Sequence, residues 1–287
     1  MEQNIHPIVI KLTIPIALLG IIGNSFVIIS ILRRRSLLTS NYYFYILHLA
    51  ICDDFWLFLH FVYLIQLHYK IEVVHDPVYC PIFALSVSFS EAGCLAMVTI
   101  SVLRYRATAH PFKNPVSRRT LKVLCALMYI VSFIISYATV LPYCLGIEDQ
   151  IWLNVLMGVF IFGFSFFVTL MMAVIYCKIA RILFHEKNIF QIPHDQNAFA
   201  TSFSRQRYRR NRKIFVVCIM TVIFYAIGNV PIAIALYLQQ ERTHASPVFF
   251  DISRFLRIVT THAINPFIYG FLDRKLMKFW RNCRKRR

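Results

Sequence analysis

Apolar and polar positions alternate along this chain on the scale of a membrane's thickness. A hydrocarbon core of about 30 Å is crossed by about 20 mostly apolar residues in a helix. Seven runs meet that length: roughly 7–32, 42–68, 78–106, 121–144, 151–184, 213–240 and 247–271. Each gap carries charges or turn residues. Asp76-Pro77 precedes the third run, His110-Pro111 follows it, and Ser246-Pro247 opens the seventh. A proline at a helix start forfeits only an N–H that would be unpaired anyway. The pattern predicts an all-α membrane protein: a seven-transmembrane helix bundle over 1–271 and a tail, 272–287. In the tail Leu272, Leu276, Phe279 and Trp280 fall at helical spacing between Arg274, Lys275, Lys278 and Arg281. That is a short basic amphipathic helix of the kind that lies on a leaflet, in contact with membrane lipids.

Composition agrees. The chain is 58% hydrophobic with 15% charged residues and a mean hydropathy of +0.60, too apolar for a soluble surface. The formal net charge of +18 changes the picture only once it is placed. Of the 31 lysines and arginines, 26 fall in Arg33–Arg35, Arg104–Lys122, 178–213 and the tail. The other side keeps Lys11, Lys70, Arg242, Arg254 and Arg257. The excess of basic residues belongs to the cytoplasmic side. It predicts a multi-pass plasma-membrane protein with its amino terminus outside and its carboxyl terminus in the cytosol. Basic residues scattered over several loops at one face suit anionic lipids and a cytoplasmic partner, not nucleic acid. The first run is too long for the apolar region of a signal peptide. No Asn-x-Ser/Thr sequon occurs, and the outer amino terminus is expected to be too short for a ligand-binding domain.

Polar residues inside the runs are the candidate machinery, because a carboxylate at mid-bilayer costs about 2.5–3.5 kcal/mol on insertion scales. Asp53 and Asp54 lie mid-way along the second run, and adjacent helical positions point about 100° apart, so at most one faces the bundle axis. Asn24 on the first run and Asn265-Pro266 on the seventh can join an Asp in a hydrogen-bonded network. The turn broken by Pro266 frees carbonyls for water or Na⁺; a purely structural clamp is the alternative. Glu91 on the third run either pairs across to a neighbouring helix, lines a ligand pocket, or is protonated and hydrogen-bonded. Of the eight cysteines, Cys52, Cys94, Cys125, Cys177 and Cys218 fall within runs and read as small core residues. Cys80 and Cys144 sit at the outer, oxidising face, where a disulfide between them would pin the second outer loop; two unpaired thiols are the alternative. Cys283 in the tail is a candidate for palmitoylation or a plain thiol. No C-x-x-C pair, Ser/His/Asp set or Gly-rich phosphate loop is present, so neither a metal site nor an enzyme is expected.

The text around Thr99–Lys113, Ser-x-x-Arg104-Tyr105 followed by Ala-x-x-His-Pro-Phe, resembles the end of the third helix in rhodopsin-like (class A) G-protein-coupled receptors. Gly23-Asn24 resembles that family's helix-one signature. Leu49-Ala50-Ile51-Cys52-Asp53 is similar to its helix-two Leu-Ala-x-x-Asp, which assigns the axial acid to Asp53. Tyr176, Pro231 and Asn265-Pro266-Phe-Ile-Tyr269 match its fifth, sixth and seventh helices in chain order. The resemblance implies a switch of Arg104, Tyr105, Tyr176, Pro231, Asn265, Pro266 and Tyr269. An extracellular ligand biases it, helix six swings at Pro231, and a heterotrimeric G protein is activated.

Departures shape what is expected. Leu103 stands where the family has an acid beside its arginine, and Asn211 offers helix six no acid either, so raised basal signalling is expected. Asn229 replaces the toggle tryptophan and Val168 the helix-five proline. Gly93 replaces the serine of the sodium shell, which counts against Na⁺. Ser86 stands where amine receptors carry an Asp, which disfavours an amine. Val259 stands where opsins carry a lysine, which excludes covalent retinal. The aligned pocket is Ser86, Phe160, Phe164, Ile232, Leu236 and Phe255, with Glu148, Asp149, Asp251, Arg254 and Arg257 at the rim. It suits a peptide or a small lipophilic ligand. Each aromatic has ordinary helix packing as its alternative. A non-signalling decoy or heteromer partner is the runner-up function. A transporter comes third, since no internal repeat or pair of broken helices is seen.

Overall fold

The computed structural model describes residues 7–69, 79–110, 112–144, 163–164, 166–182, 216, 219–235, 238 and 247–272. Every regular element among them is helical. In chain order these are α1 (Pro7–Leu32), the single turn α2 (Arg35–Leu38), α3 (Asn41–His68), α4 (Tyr79–Ala109) and α5 (Arg118–Cys144). Next come α6 (166–182) and α7 (Ile219–Ala235). The seventh run comprises α8 (Pro247–Arg257), a π-helical turn (Ile258–Ala263) and α9 (Asn265–Leu272).

Four stretches are long and apolar enough to cross a bilayer among the described residues: Ile8–Leu32, Asn41–Gln66, Cys80–Ala109 and Arg118–Val140. Of the expected fifth and sixth spans the described parts are α6 and α7. Three boundaries differ from the pattern-based reading. The second span begins at Asn41. The third continues to Ala109. The fourth begins at Arg118, ahead of its apolar stretch, because Ser117 Oγ accepts from the Thr120 N–H at 3.1 Å and caps the first turn; the Arg118 guanidinium then donates to the carbonyls of Leu38 and Ser40 at 2.6 and 3.4 Å. That contact anchors the basic end of α5 across the first turn after α1.

Helix α4 is the most enclosed of the long helices, while α1 and α5 are the least. The difference is lipid-facing surface. Ile8, Leu12, Leu19, Ile22 and Ile29 of α1 project outward, as do Val123, Leu127, Ile130 and Ile134 of α5. A row of exposed branched side chains of that length fits hydrocarbon, not water. Inside, α3 packs on α1 and α4, and α4 on α5. Tyr45, Ile46, Leu49, Leu57 and Leu121 of these helices are fully buried, as are Met172 of α6 and Tyr225 of α7. Cys52, Cys94 and Cys125 are buried, as core residues should be, but Cys177 is exposed, because its face of α6 points away from the bundle.

With no water in the core, each polar group must find a protein partner. Thr13, Ser88 and Ser101 do so by donating to the carbonyl four residues back, at 2.6–2.8 Å. The Tyr45 hydroxyl crosses to the Leu121 carbonyl at 3.1 Å. Helix α1 also packs on the seventh segment, and Gly20 permits it. A Cβ at position 20 would lie 2.7 Å from Leu57 Cδ1 and 2.9 Å from Ala263 Cβ.

Candidate functional site

The break in the seventh run follows from its sequence. Pro266 has no N–H to give the His262 carbonyl, so the regular ladder cannot pass. The chain widens instead, and Ile264 N–H donates to Val259 O at 3.0 Å, one residue further back than an α-helical bond. The orphaned His262 carbonyl accepts from Asn24 Nδ2 on α1 at 3.3 Å. Asn24 therefore reaches the network through the backbone of the seventh segment.

The buried acid at the centre is Asp53, 1% exposed. Its Oδ2 accepts from Asn265 Nδ2 at 2.8 Å, and its Oδ1 lies 2.7 Å from His262 Nδ1. His262 is itself buried, with its ring stacked on Trp56 at 3.9 Å between centroids. Asp54 turns instead toward α1 and accepts from Ser25 Oγ at 3.0 Å. Sequence reasoning missed His262. The available signal was a histidine three residues before Asn265, hence on the same helical face, inside an apolar run. These residues do not fit a sodium ion. Both carboxyl oxygens of Asp53 already face side-chain nitrogens, whereas a hard cation needs several oxygen ligands. Gly93, beside Asp53 Oδ1, adds none.

Of the expected switch residues, Arg104, Tyr105 and Tyr176 lie toward one end of the bundle, while Pro231, Asn265 and Pro266 lie nearer the π turn. Arg104 donates from Nη2 to the Tyr42 hydroxyl, and its guanidinium lies over the Tyr42 ring, 4.6 Å from the centroid. Tyr42 stands on α3 and was not singled out in the sequence. Tyr176 is buried on α6, its hydroxyl 2.7 Å from Ser101 Oγ, one turn before Arg104. Tyr105 is half-buried, its ring edge-on to His110. Pro231 is half-buried on α7. Two residues before it, Asn229 donates to Thr261 Oγ1 at 3.1 Å and to the Tyr225 carbonyl at 3.0 Å. Helix α7 is thereby tied to the π turn. The Tyr269 side chain lies outside the described residues.

At the opposite end, Ser86 and Ile232 are buried while Phe164 and Phe255 are half-buried. Phe160 and Leu236 lie outside the described residues, as do Cys283 and nearly all of the tail. Glu91 does pair across, accepting from Ser136 Oγ on α5 at 3.0 Å. Cys80 is buried and disulfide-bonded; the side chain of Cys144 lies outside the described ones. Arg254 and Arg257 are not rim charges. Arg257 Nη2 donates to Ser90 Oγ on α4 at 2.8 Å, and Arg254 stands over the Phe250 and Tyr63 rings. Helical phase turns both inward, and a guanidinium fits an aromatic interior better than an ammonium would.

Residues 23–269 match the family described as the 7 transmembrane receptor (rhodopsin family). The chain is 26% identical to the type-1 angiotensin II receptor of Canis lupus familiaris. That alignment covers 92% of this chain and 77% of the relative. It is 24% identical to neuromedin-U receptor 2 of Mus musculus, over 93% of this chain and 72% of the relative. Apolar helices, a buried Asp53–Asn265 contact across the bundle, and an arginine-bearing end of α4 are joined by a match spanning nearly the whole chain. The chain belongs to the rhodopsin family of seven-transmembrane, G-protein-coupled receptors, which signal and are not enzymes, and it is a multi-pass membrane protein.

Proposed function

We propose that this receptor takes an extracellular ligand, a peptide or a small lipophilic molecule, and activates a heterotrimeric G protein at the Arg104 end. The amino terminus faces outside and the carboxyl terminus the cytosol. The observation that supports this best is the restraint on Arg104. An arginine inside a membrane helix is retained where it works, and among the described residues its guanidinium donates to the Tyr42 hydroxyl and lies over the Tyr42 ring. Ligand binding favours a second packing of the same helices, in which α7 pivots at Pro231. Arg104 then leaves Tyr42, and Tyr176 and Tyr269 move with it to receive the transducer. The names of the two relatives, receptors for angiotensin II and neuromedin U, support an extracellular messenger in general. Cys80 pairs with Cys144 over the outer mouth, and Cys283 anchors the tail to the inner leaflet.

The test is a coupling screen across Gα families in cells, with and without candidate ligands, alongside surface labelling of terminal tags. Constitutive or ligand-driven output from at least one Gα is expected, with the amino-terminal tag alone accessible on intact cells. Normal surface expression with no Gα response would replace this reading with a non-signalling partner.

A further inference from the structure

The half of the bundle away from Arg104 holds a set of polar nitrogens without partners. Arg254 and Arg257 are one turn apart on α8 and share a face. Trp56, His60 and Tyr63 occupy positions i, i+4 and i+7 of α3 and share another. The two faces meet. The Arg257 guanidinium carbon is 5.8 Å from the Trp56 ring centroid, and that of Arg254 is 5.5 Å from the Tyr63 centroid. His60 stacks on Trp56 at 4.8 Å and neighbours Tyr63 at 5.7 Å.

Arg254 Nη1, Arg257 Nε and His60 Nε2 are all buried and make no hydrogen bond. Neither arginine lies within ion-pair distance of a carboxylate among the described residues, where the His262–Asp53 contact is the one ion-pair geometry. The acid across the bundle, Glu91, is turned to Ser136. Asp251 is buried on α8 with interactions of its own. A buried donor left unpaired is costly, and a buried guanidinium more so. Arrangements of this kind persist where something else supplies the missing acceptor.

From this juxtaposition we infer that His60, Arg254 and Arg257, walled by Trp56, Tyr63 and Phe250, receive a carboxylate at the end of an apolar or aromatic ligand. A planar carboxylate accepts two parallel N–H bonds from a guanidinium edge, the match for which arginine is suited. The aromatic walls take the apolar stem and exclude water, which strengthens the ion pair. The same chemistry is offered by a peptide's carboxyl terminus and by a fatty acid. The inference deepens the receptor reading above and rests on it for the ligand's route of entry.

The experiment uses the purified full-length receptor in lipid nanodiscs, with thermal unfolding as readout. The probes are decanoate and N-acetyl-diphenylalanine, each against its uncharged counterpart, decanol and the dipeptide amide. A saturable rise in melting temperature with one or both acids, absent with the counterparts, is expected. A response to the dipeptide acid points to a peptide terminus, and one to decanoate points to a lipid. Arg257→Gln and Arg254→Gln should weaken the acid response roughly tenfold or more. They should also leave the ligand-free receptor as stable or more stable, because an unpaired charge is removed. Equal effects of acid and counterpart, no effect of either acid, or a ligand-free loss of stability in both variants would overturn the inference. The readout is binding, so a receptor that bound the acid yet coupled to no Gα would keep this inference and remove the signalling one.

Discussion

His262 Nδ1 lies 2.7 Å from Asp53 Oδ1, so an imidazole takes one oxygen of the buried acid while the Asn265 amide takes the other. Removing one partner of such a buried hydrogen bond leaves the other unsatisfied and costs about 1–3 kcal/mol. His262→Ala should therefore lower the unfolding temperature strongly, while Asp53→Asn, which still accepts a hydrogen bond, should cost only about 1 kcal/mol. Thermal melts of the two variants in nanodiscs decide; equal losses would mean that charge is irrelevant to the pair. Exchanging sodium for choline should leave the wild-type melt unchanged, since no oxygen-rich cage surrounds Asp53.

Tyr42 supplies a restraint on Arg104 that the missing acid at Leu103 does not. Tyr42→Phe removes the hydrogen bond and keeps the ring. A hydrogen bond to a charged group is worth roughly 1.5–3 kcal/mol, so basal second-messenger output should rise about tenfold or more at matched surface expression. Leu103→Asp should lower it. Unchanged output in both variants would remove Arg104 from the switch.

Ser101 and Tyr176 tie α4 to α6 through hydroxyls 2.7 Å apart. Ser101→Ala and Tyr176→Phe should each cost about 1 kcal/mol, and the double variant less than their sum, because either single already removes the bond between them. A double-mutant cycle on melting temperature measures this. Full additivity would show that the contact contributes nothing.

Gly20 and Gly93 test packing against helix propensity. An alanine at position 20 meets Ala263 Cβ at 2.9 Å and Cα at 3.0 Å, and backbone cannot yield cheaply. Gly20→Ala should destabilise by about 1–3 kcal/mol. At position 93 the nearest atom is Cys52 Cβ at 3.5 Å, an ordinary contact. Gly93→Ala should be neutral or stabilising, since alanine is the better helix former. The same melts separate the two.

Hydrophobic run length was enough to read the membrane class, because the bilayer demands about 20 apolar residues per crossing whatever the helix then touches. Asn24, Asp53 and Asn265 were legible for a related reason: intramembrane polarity is expensive, so its presence alone marks a site. Pro266 likewise announced that the seventh run must break. Each of these is a property of a residue and its near neighbours in the chain. Partners were not legible. That His262 takes Asp53, Tyr42 takes Arg104, and Ser136 takes Glu91 depends on how α3, α4, α5 and the seventh segment are rotated against one another. Rotation is set by side-chain packing summed over whole faces, with Gly20 among the contacts. The inward turn of Arg254 and Arg257 is the clearest case. Along the chain they are two cations among apolar residues, equally suited to a rim. Only the meeting of their face with Trp56, His60 and Tyr63 encloses them, because burial belongs to neighbours remote in sequence.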